Sequence, residues 1–346
     1  MGVELIMVDI LGTVAILAGF AYAFVNGYHD GGNVIATIIA SRSIKIRTAF
    51  IVGCTGEFCG ALFLGTAVAK TIGIGLVDSG SILGTDALTG SVFIIGAITG
   101  SIIWNLITAV LGLPSSSSHA LMGSLAGAGI ALFGFGAVHW TAFLLKVVLV
   151  MISSPLVGLL AGYLIMRITL NTLEYYTKKI EKQIKRAQYV SMTGLAMSHG
   201  SSDAQKAMGL IALELSILGY YDGFVIPWWV IAGSALMIAL GMSVGGWKIM
   251  HTLGKKLYTI EPMHSLASQT AAAAVIITAA LTGLPVSTTQ IVTSSVMGVG
   301  AAENRKKVRW GIANRIIASW FITLPASAIV AGVFSKAALL LLHIVL

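Results

Sequence analysis

GYHDGGNVIAT at residues 27–37 and GSSDAQKAMGL at residues 200–210 are two versions of one segment. Aligned, they set Gly27, Asp30 and Asn33 opposite Gly200, Asp203 and Lys206 at a constant offset (203 − 30 = 173). A second pair, GLPSSSSH at 112–119 and GLPVSTTQ at 283–290, follows at nearly the same offset (283 − 112 = 171). Two ordered motifs repeating together divide the chain into homologous halves, each with an Asp motif and then a Gly-Leu-Pro-Ser/Thr motif.

The chain around these motifs is 57% hydrophobic and only 10% charged over 346 residues, with a mean hydropathy of +0.93. Soluble domains run at about 45–50% apolar, so the composition excludes a soluble two-domain protein and indicates an all-α polytopic membrane protein. Apolar runs lie near 5–25, 49–69, 91–111, 141–166, 225–244, 271–282 and 310–334, most of them near the roughly 20 residues that a helix needs to cross a bilayer. The 40 glycines suit a packed helical bundle, because small residues let membrane helices approach closely. Cys54 and Cys59 share one apolar helix without metal spacing or a disulfide framework and are expected as buried thiols. MGVELIMVDI has neither a basic segment nor a small-residue cleavage site, so it is not expected to be a cleaved signal peptide. The net charge of +8 does not indicate nucleic acid, because the basic residues cluster in short loops.

Those loops give the topology. Lys and Arg concentrate at 42–47, 167–186, 248–256 and 305–309, which the positive-inside rule assigns to the cytoplasm. The connections 71–89 (with Asp78 and Asp86), 134–139 and 219–224 (with Asp222) hold neither, and are expected outside. Under the repeat offset, basic 42–47 maps onto neutral 215–220, acidic 71–89 onto basic 248–256, and neutral 134–139 onto basic 305–309. Every loop changes side, the signature of two inverted-topology repeats with sites at broken helices near the midplane. The expected units are a first repeat over 1–169, a cytoplasmic amphipathic linker helix over 170–188 and a second repeat over 189–346, with the N-terminus outside. Only Val190–Ser198 precede the second Asp motif, about half a bilayer of helix at roughly 1.5 Å per residue. Segments 113–133 and 284–301 are expected as returning arms of re-entrant hairpins. Trp140, Trp228, Trp229 and Trp310 are expected at span ends, as an aromatic belt requires.

Charge inside a span costs about 2.5–3.5 kcal/mol per residue on insertion scales, so Asp30, Glu57, Asp203 and Lys206 need a polar cavity or one another. Asp30 paired with Lys206 as a purely structural tie is the bland alternative. Recurrence at equivalent positions in both halves favours a site. Glu214 and Lys146 do not recur and are expected to snorkel or pair locally. In the Gly-Leu-Pro motifs, Pro114 and Pro285 suit a first helical turn, leaving free N–H groups beside the hydroxyls of Ser115, Ser116, Ser117, Ser118, Ser287, Thr288 and Thr289. Such a helix start binds anions, although one such motif alone is accounted for by helix capping. His29, His119 and His199 adjoin the motifs and read singly as hydrogen-bonded structural residues. Hydroxyls and helix starts for an anion beside carboxylates for a cation describe an anion–cation symporter.

At this point the sequence resembles the inorganic phosphate transporter (Pit) family. NGYHDGGNVIATIIASRSI (26–44) and SHGSSDAQKAMGL (198–210) are similar to its two signatures, and GLPSSSSHALMGS (112–124) and GLPVSTTQ (283–290) to its repeated Gly-Leu-Pro segments. The resemblance implies phosphate uptake with H⁺ or Na⁺, as free phosphate or a metal–phosphate complex, and implies that Asp30, Asp203 and, within GEFCGALF, Glu57 are the functional carboxylates. Three positions depart from the family pattern: Gln269 stands at an acidic position of some members, Gln290 at a usual His and Ser202 at a frequent Asn. The His-Asp first motif and Gln-Lys second motif resemble the bacterial proton-linked branch.

The expected phosphate ligands are therefore Asn33, Ser115–Ser118, Lys206, Ser287, Thr288 and Thr289, with Asp30, Glu57, Asp203 and Gln269 coupling the cation. No cofactor and no resident metal are assigned, Na⁺ at Asp30 and Asp203 being the one ion candidate. The expected partners are phosphate, the lipid bilayer of the cytoplasmic membrane and a second copy of the chain. Three rivals compete with this reading. They are a sulfate permease, a divalent-metal transporter built on His29, Asp30, His199 and Asp203, and an intramembrane aspartyl protease. Lys206 beside one Asp argues against the protease, because it would hold that Asp ionised where a dyad shares a proton.

Overall fold

The computed structural model describes residues 2–77, 84–172 and 178–345; Asp78, residues 173–177 and the side chain of Lys255 lie outside them. The described residues are mostly helical, joined by short turns, with one isolated antiparallel bridge between Val77 and Val138. The long helices are α1 (Gly2–Ala40), α2 (Ile46–Phe63), α4 (Ala87–Leu111), α6 (Trp140–Thr172), α7 (Lys178–Ile217), α10 (Pro262–Leu281) and α12 (Trp310–Val345). Shorter ones are α3 (Ala67–Ile74), α5 (Ser117–Phe133), α8 (Trp228–Val244), α9 (Trp247–His251) and α11 (Thr288–Asn304). Among the described residues, six helices are long and apolar enough to cross a membrane, or seven if Trp228–Val244 and Trp247–Gly254 form one span bent by 58°. Trp140, Trp228 and Trp310 open their helices, with Trp229 second in α8.

Neither Asp motif interrupts its helix. α1 runs for 39 residues through Asp30, and α7 for 40 residues through Asp203. The first apolar run, expected to stop near residue 25, extends to Ala40 because Asn26, His29, Asp30 and Asn33 are fully buried and find polar partners on other helices. Of the stretch expected as a linker helix, residues 170–172 close α6, and residues 178–188 open α7, which continues unbroken into the second motif. Cys54 and Cys59 are free and half-buried on α2.

The helix breaks fall elsewhere, at matched places in the two halves. Gly112 (φ +66°) and Gly283 (φ +72°) end α4 and α10 in the left-handed region, where an L side chain is strained. The turn hydrogen bonds match as well: Leu113 N–H to Thr108 and Gly112 N–H to Ala109, against Leu284 N–H to Ala279 and Gly283 N–H to Ala280. This is a Schellman ending followed by proline. Each turn leads into a helix of 17 residues, α5 or α11. At the far ends, the Trp140 indole donates to the Phe135 carbonyl and the Trp310 indole to the Arg305 carbonyl, both at 2.9 Å. α6 and α12 each contain a proline, Pro155 and Pro325 (325 − 155 = 170).

The halves interlock. α5 packs chiefly against α12, α11 against α6, α1 against α8, and α7 against α2. Glycine makes the last two crossings close: a Cβ on Gly27 would fall on the Ile238 carbonyl, and one on Gly200 on the Glu57 backbone. The equivalence of Gly27 and Gly200 in the repeat thus has a steric reason.

Candidate functional site

The crossing of α1 and α7 and the starts of α5 and α11 bring the two Asp motifs and the two hydroxyl clusters into one buried polar centre. Asp30 and Asn33 lie one turn apart on α1, as do Asp203 and Lys206 on α7, and all four are fully buried. Thr289 Oγ1 donates to Asp30 Oδ1 at 2.7 Å, and Asn33 Nδ2 donates to that same oxygen at 3.1 Å and to Thr289 Oγ1 at 2.9 Å. Lys206 Nζ lies 2.9 Å from Asp203 Oδ1 and donates to Ser117 Oγ at 3.2 Å, while Thr288 Oγ1 donates to Asp203 Oδ2 at 3.3 Å. Asn33 of one half therefore reaches Thr289 of the other, and its counterpart Lys206 reaches Ser117 across the same boundary. The bland tie of Lys206 to Asp30 is not the arrangement found; the ammonium pairs with Asp203 on its own helix.

Each carboxylate carries an imidazole. His29 Nδ1 lies 2.8 Å from Asp30 Oδ1, and its Nε2 lies 3.0 Å from Thr108 Oγ1. His199 Nδ1 lies 2.7 Å from Glu57 Oε1 and Nε2 lies 3.5 Å from Asp203 Oδ2, close approaches whose angles are not those of hydrogen bonds. Of the four residues of the metal-transporter reading, Asp30, His199 and Asp203 bring ligand atoms within 4.8 Å of one another, whereas both nitrogens of His29 are engaged. Such donors suit a small cation. Asp30 Oδ2, Asn33 Oδ1, Asn26 Oδ1, Ser202 Oγ and the Tyr22 hydroxyl are buried without a hydrogen-bond partner among the described residues. Unpaired buried polar atoms are costly, and of these Asp30 Oδ2 and Asn33 Oδ1 belong to residues of the centre itself.

The hydroxyl clusters divide their work. Ser116 and Ser287 cap α5 and α11, accepting from the His119 and Gln290 N–H groups at 3.1 and 3.2 Å; the capping alternative holds for these two. Ser115 donates to Thr108 Oγ1 at 2.8 Å and Ser118 to the Val286 carbonyl at 2.9 Å. Ser117, Thr288 and Thr289 are the three whose hydroxyls meet Asp30, Asp203 or Lys206. Gln290 Oε1 accepts from Ser154 at 3.0 Å. Gln269 is not brought to the centre: its partner is Ser191, 2.8 Å away and eight residues before His199, about 12 Å along a helix. Glu214 does not snorkel but is fully buried, accepting from Ser91 at 2.5 Å.

Sequence reasoning missed Thr108 and Gln205, whose roles depend on partners far along the chain. It also missed a third repeated element. α2, a break at Gly65 (φ +93°) and α3 correspond to α8, a break at Gly246 (φ +83°) and α9. The offset here is 246 − 65 = 181. Thr-Ile-Gly at 71–73 and Thr-Leu-Gly at 252–254, also 181 apart, were the available signal.

A model of the phosphate transporter family matches residues 26–331 of the chain. A probable low-affinity inorganic phosphate transporter of Bacillus subtilis (strain 168) is 40% identical, over 92% of this chain and 94% of that protein. One of the same description from Rhizobium meliloti is 38% identical over 93% and 94% of the respective chains. Among solved structures, a chain described as the sodium-dependent phosphate transporter superposes with a TM-score of 0.84 at 24% identity, covering 95% of this chain and 99% of its own.

Proposed function

Because the chain belongs to the phosphate transporter family, we propose that it carries inorganic phosphate into the cell by symport with a cation, through alternating access at the buried centre. One observation carries the coupling: the hydroxyls that would hold the anion are already bonded to the carboxylates that would hold the cation. While Asp30 is unneutralised it draws the Thr289 donor, and Asp203 draws Thr288 and Lys206. A cation on the carboxylates weakens that attraction and frees the same donors for phosphate. Each ligand thus raises the affinity for the other, and the coupling is reciprocal by linkage.

The cation in this reading is a proton, held among the His29–Asp30 and His199–Glu57–Asp203 groups, since each carboxylate has an imidazole partner to exchange with. Na⁺ is the second reading, favoured by the donor atoms of Asp30, His199 and Asp203 within 4.8 Å and by the sodium dependence in the description of the structural neighbour. The two halves, 1–169 and 189–346 joined through 170–188, are proposed to lie inverted in the cytoplasmic membrane with the N-terminus outside. Loop charges and the matched turns of the two halves support this. Labelled phosphate uptake into proteoliposomes tests the reading: accumulation driven by an imposed proton gradient is expected, accumulation only under a sodium gradient selects the second reading, and none under either refutes symport.

A further inference from the structure

The third repeated element carries a proposal that rests on the phosphate reading of the centre and deepens it. We propose that Thr71 and Thr252 are positioning residues that set the anion cradle, and that Gln205 holds Thr71 in place. Thr71 Oγ1 donates to the Gly283 carbonyl at 2.8 Å, and Thr252 Oγ1 donates to the Gly112 carbonyl at 2.9 Å. These carbonyls belong to the left-handed glycines that open the Gly-Leu-Pro turns. Beyond them Pro114 and Pro285 have fixed φ, so the orientation of the glycine peptide is passed on to the hydroxyls three to six residues later.

The other end of each short helix rests on an Asp motif. Gln205, between Asp203 and Lys206, accepts from the N–H groups of Val68 and Ala69 at 2.7 and 3.2 Å and so caps the start of α3. The position equivalent to Gln205 is Gly32 (205 − 173 = 32), where a Cβ would meet the Gly246 backbone; there the main chain of α1 abuts the break itself. α3, from the first half, thus joins the Asp motif of the second half to the Gly-Leu-Pro turn of the second half. α9 and the turn that continues it from Thr252, both from the second half, do the same for the first. Both levers hang on a glycine of positive φ, Gly65 or Gly246. A shift of either Asp motif on taking up its cation reaches the cradle through one capped or abutted helix start and one threonine hydrogen bond.

The test uses phosphate uptake kinetics of the full chain in proteoliposomes. Thr71→Val keeps the shape and removes the donor; it is expected to raise KM for phosphate about tenfold, the weight of one hydrogen bond to a buried acceptor, with Vmax held within about twofold. Thr71→Ser restores the wild-type KM. Gln205→Met raises KM similarly, and Thr71→Val with Gln205→Met raises it no further than either alone, because both cut one connection. Thr252→Val reads the counterpart link should Thr71→Val fail to assemble. An unchanged KM in Thr71→Val and Thr252→Val overturns the proposal, as does a fall in Vmax alone or a double variant whose effects multiply. Failure of the wild-type chain itself to take up phosphate would instead refute the transport reading.

Discussion

Replacing Lys206 by Met separates what this side chain does for the fold from what it does for the substrate. Lys206 and Asp203 are both fully buried and 2.9 Å apart. Removing one partner of a buried pair leaves the other charge uncompensated and costs about 3–5 kcal/mol. Asp203 retains Thr288 at 3.3 Å and His199 at 3.5 Å, which places the expected loss at the low end, about 3 kcal/mol. At about 2 °C per kcal/mol for a chain of this size, the midpoint of thermal unfolding in detergent falls by about 6 °C. Removing both charges in Lys206→Met with Asp203→Asn is expected to return most of that stability, since exchanging a whole buried pair for neutral groups is close to neutral. Transport is not expected to return with it, because the double variant still lacks the ammonium that faces Ser117 and the carboxylate proposed to hold the cation. A single variant that melts with the wild type would show that Lys206 does not neutralise Asp203. A stable double variant that accumulates phosphate would remove both residues from the site.

Asp30→Asn and Asp203→Asn are each expected to abolish cation-driven uptake per folded molecule. Asp203→Asn leaves the buried Lys206 ammonium unpaired and is expected to melt lower as Lys206→Met does, so uptake is compared at equal amounts of folded protein, and gradient-driven accumulation near the wild-type rate would make that Asp structural. Excess arsenate is expected to compete with labelled phosphate whereas sulfate is not, because phosphate keeps protons to donate to the carboxylates proposed to face it, Asp30, Asp203 and Glu57. A site built on one hydrogen-bond pattern rejects an analogue lacking it by about 10⁴–10⁵, so equal inhibition by sulfate contradicts the assignment. For topology, an impermeant thiol reagent applied outside is expected to label a single cysteine at Asp222, in a background freed of Cys54 and Cys59, but not one at Gln183 or Lys306. Equal labelling of all three refutes the inverted arrangement.

Much of the site was legible because its chemistry is written in residue types that a bilayer penalises. Asp30, Asp203 and Lys206 stand out against apolar helix, and the doubled Gly-Leu-Pro segments announce helix starts lined with hydroxyls. Partner choice was not legible: Ser116 and Ser287 serve as caps while Ser117 and Thr289 face charge, a difference made by rotation about a helix start rather than by residue type. Helix continuity through Asp30 also escaped the sequence, since it depends on Thr108 and Thr289 supplying polar partners from elsewhere in the chain. The α2–α3 and α8–α9 correspondence was hidden because its offset is 181 rather than 171–173, and because a threonine hydrogen bond leaves only Thr71 and Thr252 as its trace.

The interlocking of the halves has a consequence for biogenesis. α5 leaves the ribosome long before α12, yet α12 covers it and the Trp320 indole on α12 holds the Pro114 carbonyl at 3.0 Å. Until α12 is made, the serine-lined start of α5 lacks the neighbour that encloses it, and Gly112 lacks the Thr252 hydroxyl until that residue follows. Enclosure of the buried centre therefore depends on segments translated more than a hundred residues after the hydroxyls of the first half, so no single helix of that half can close it alone.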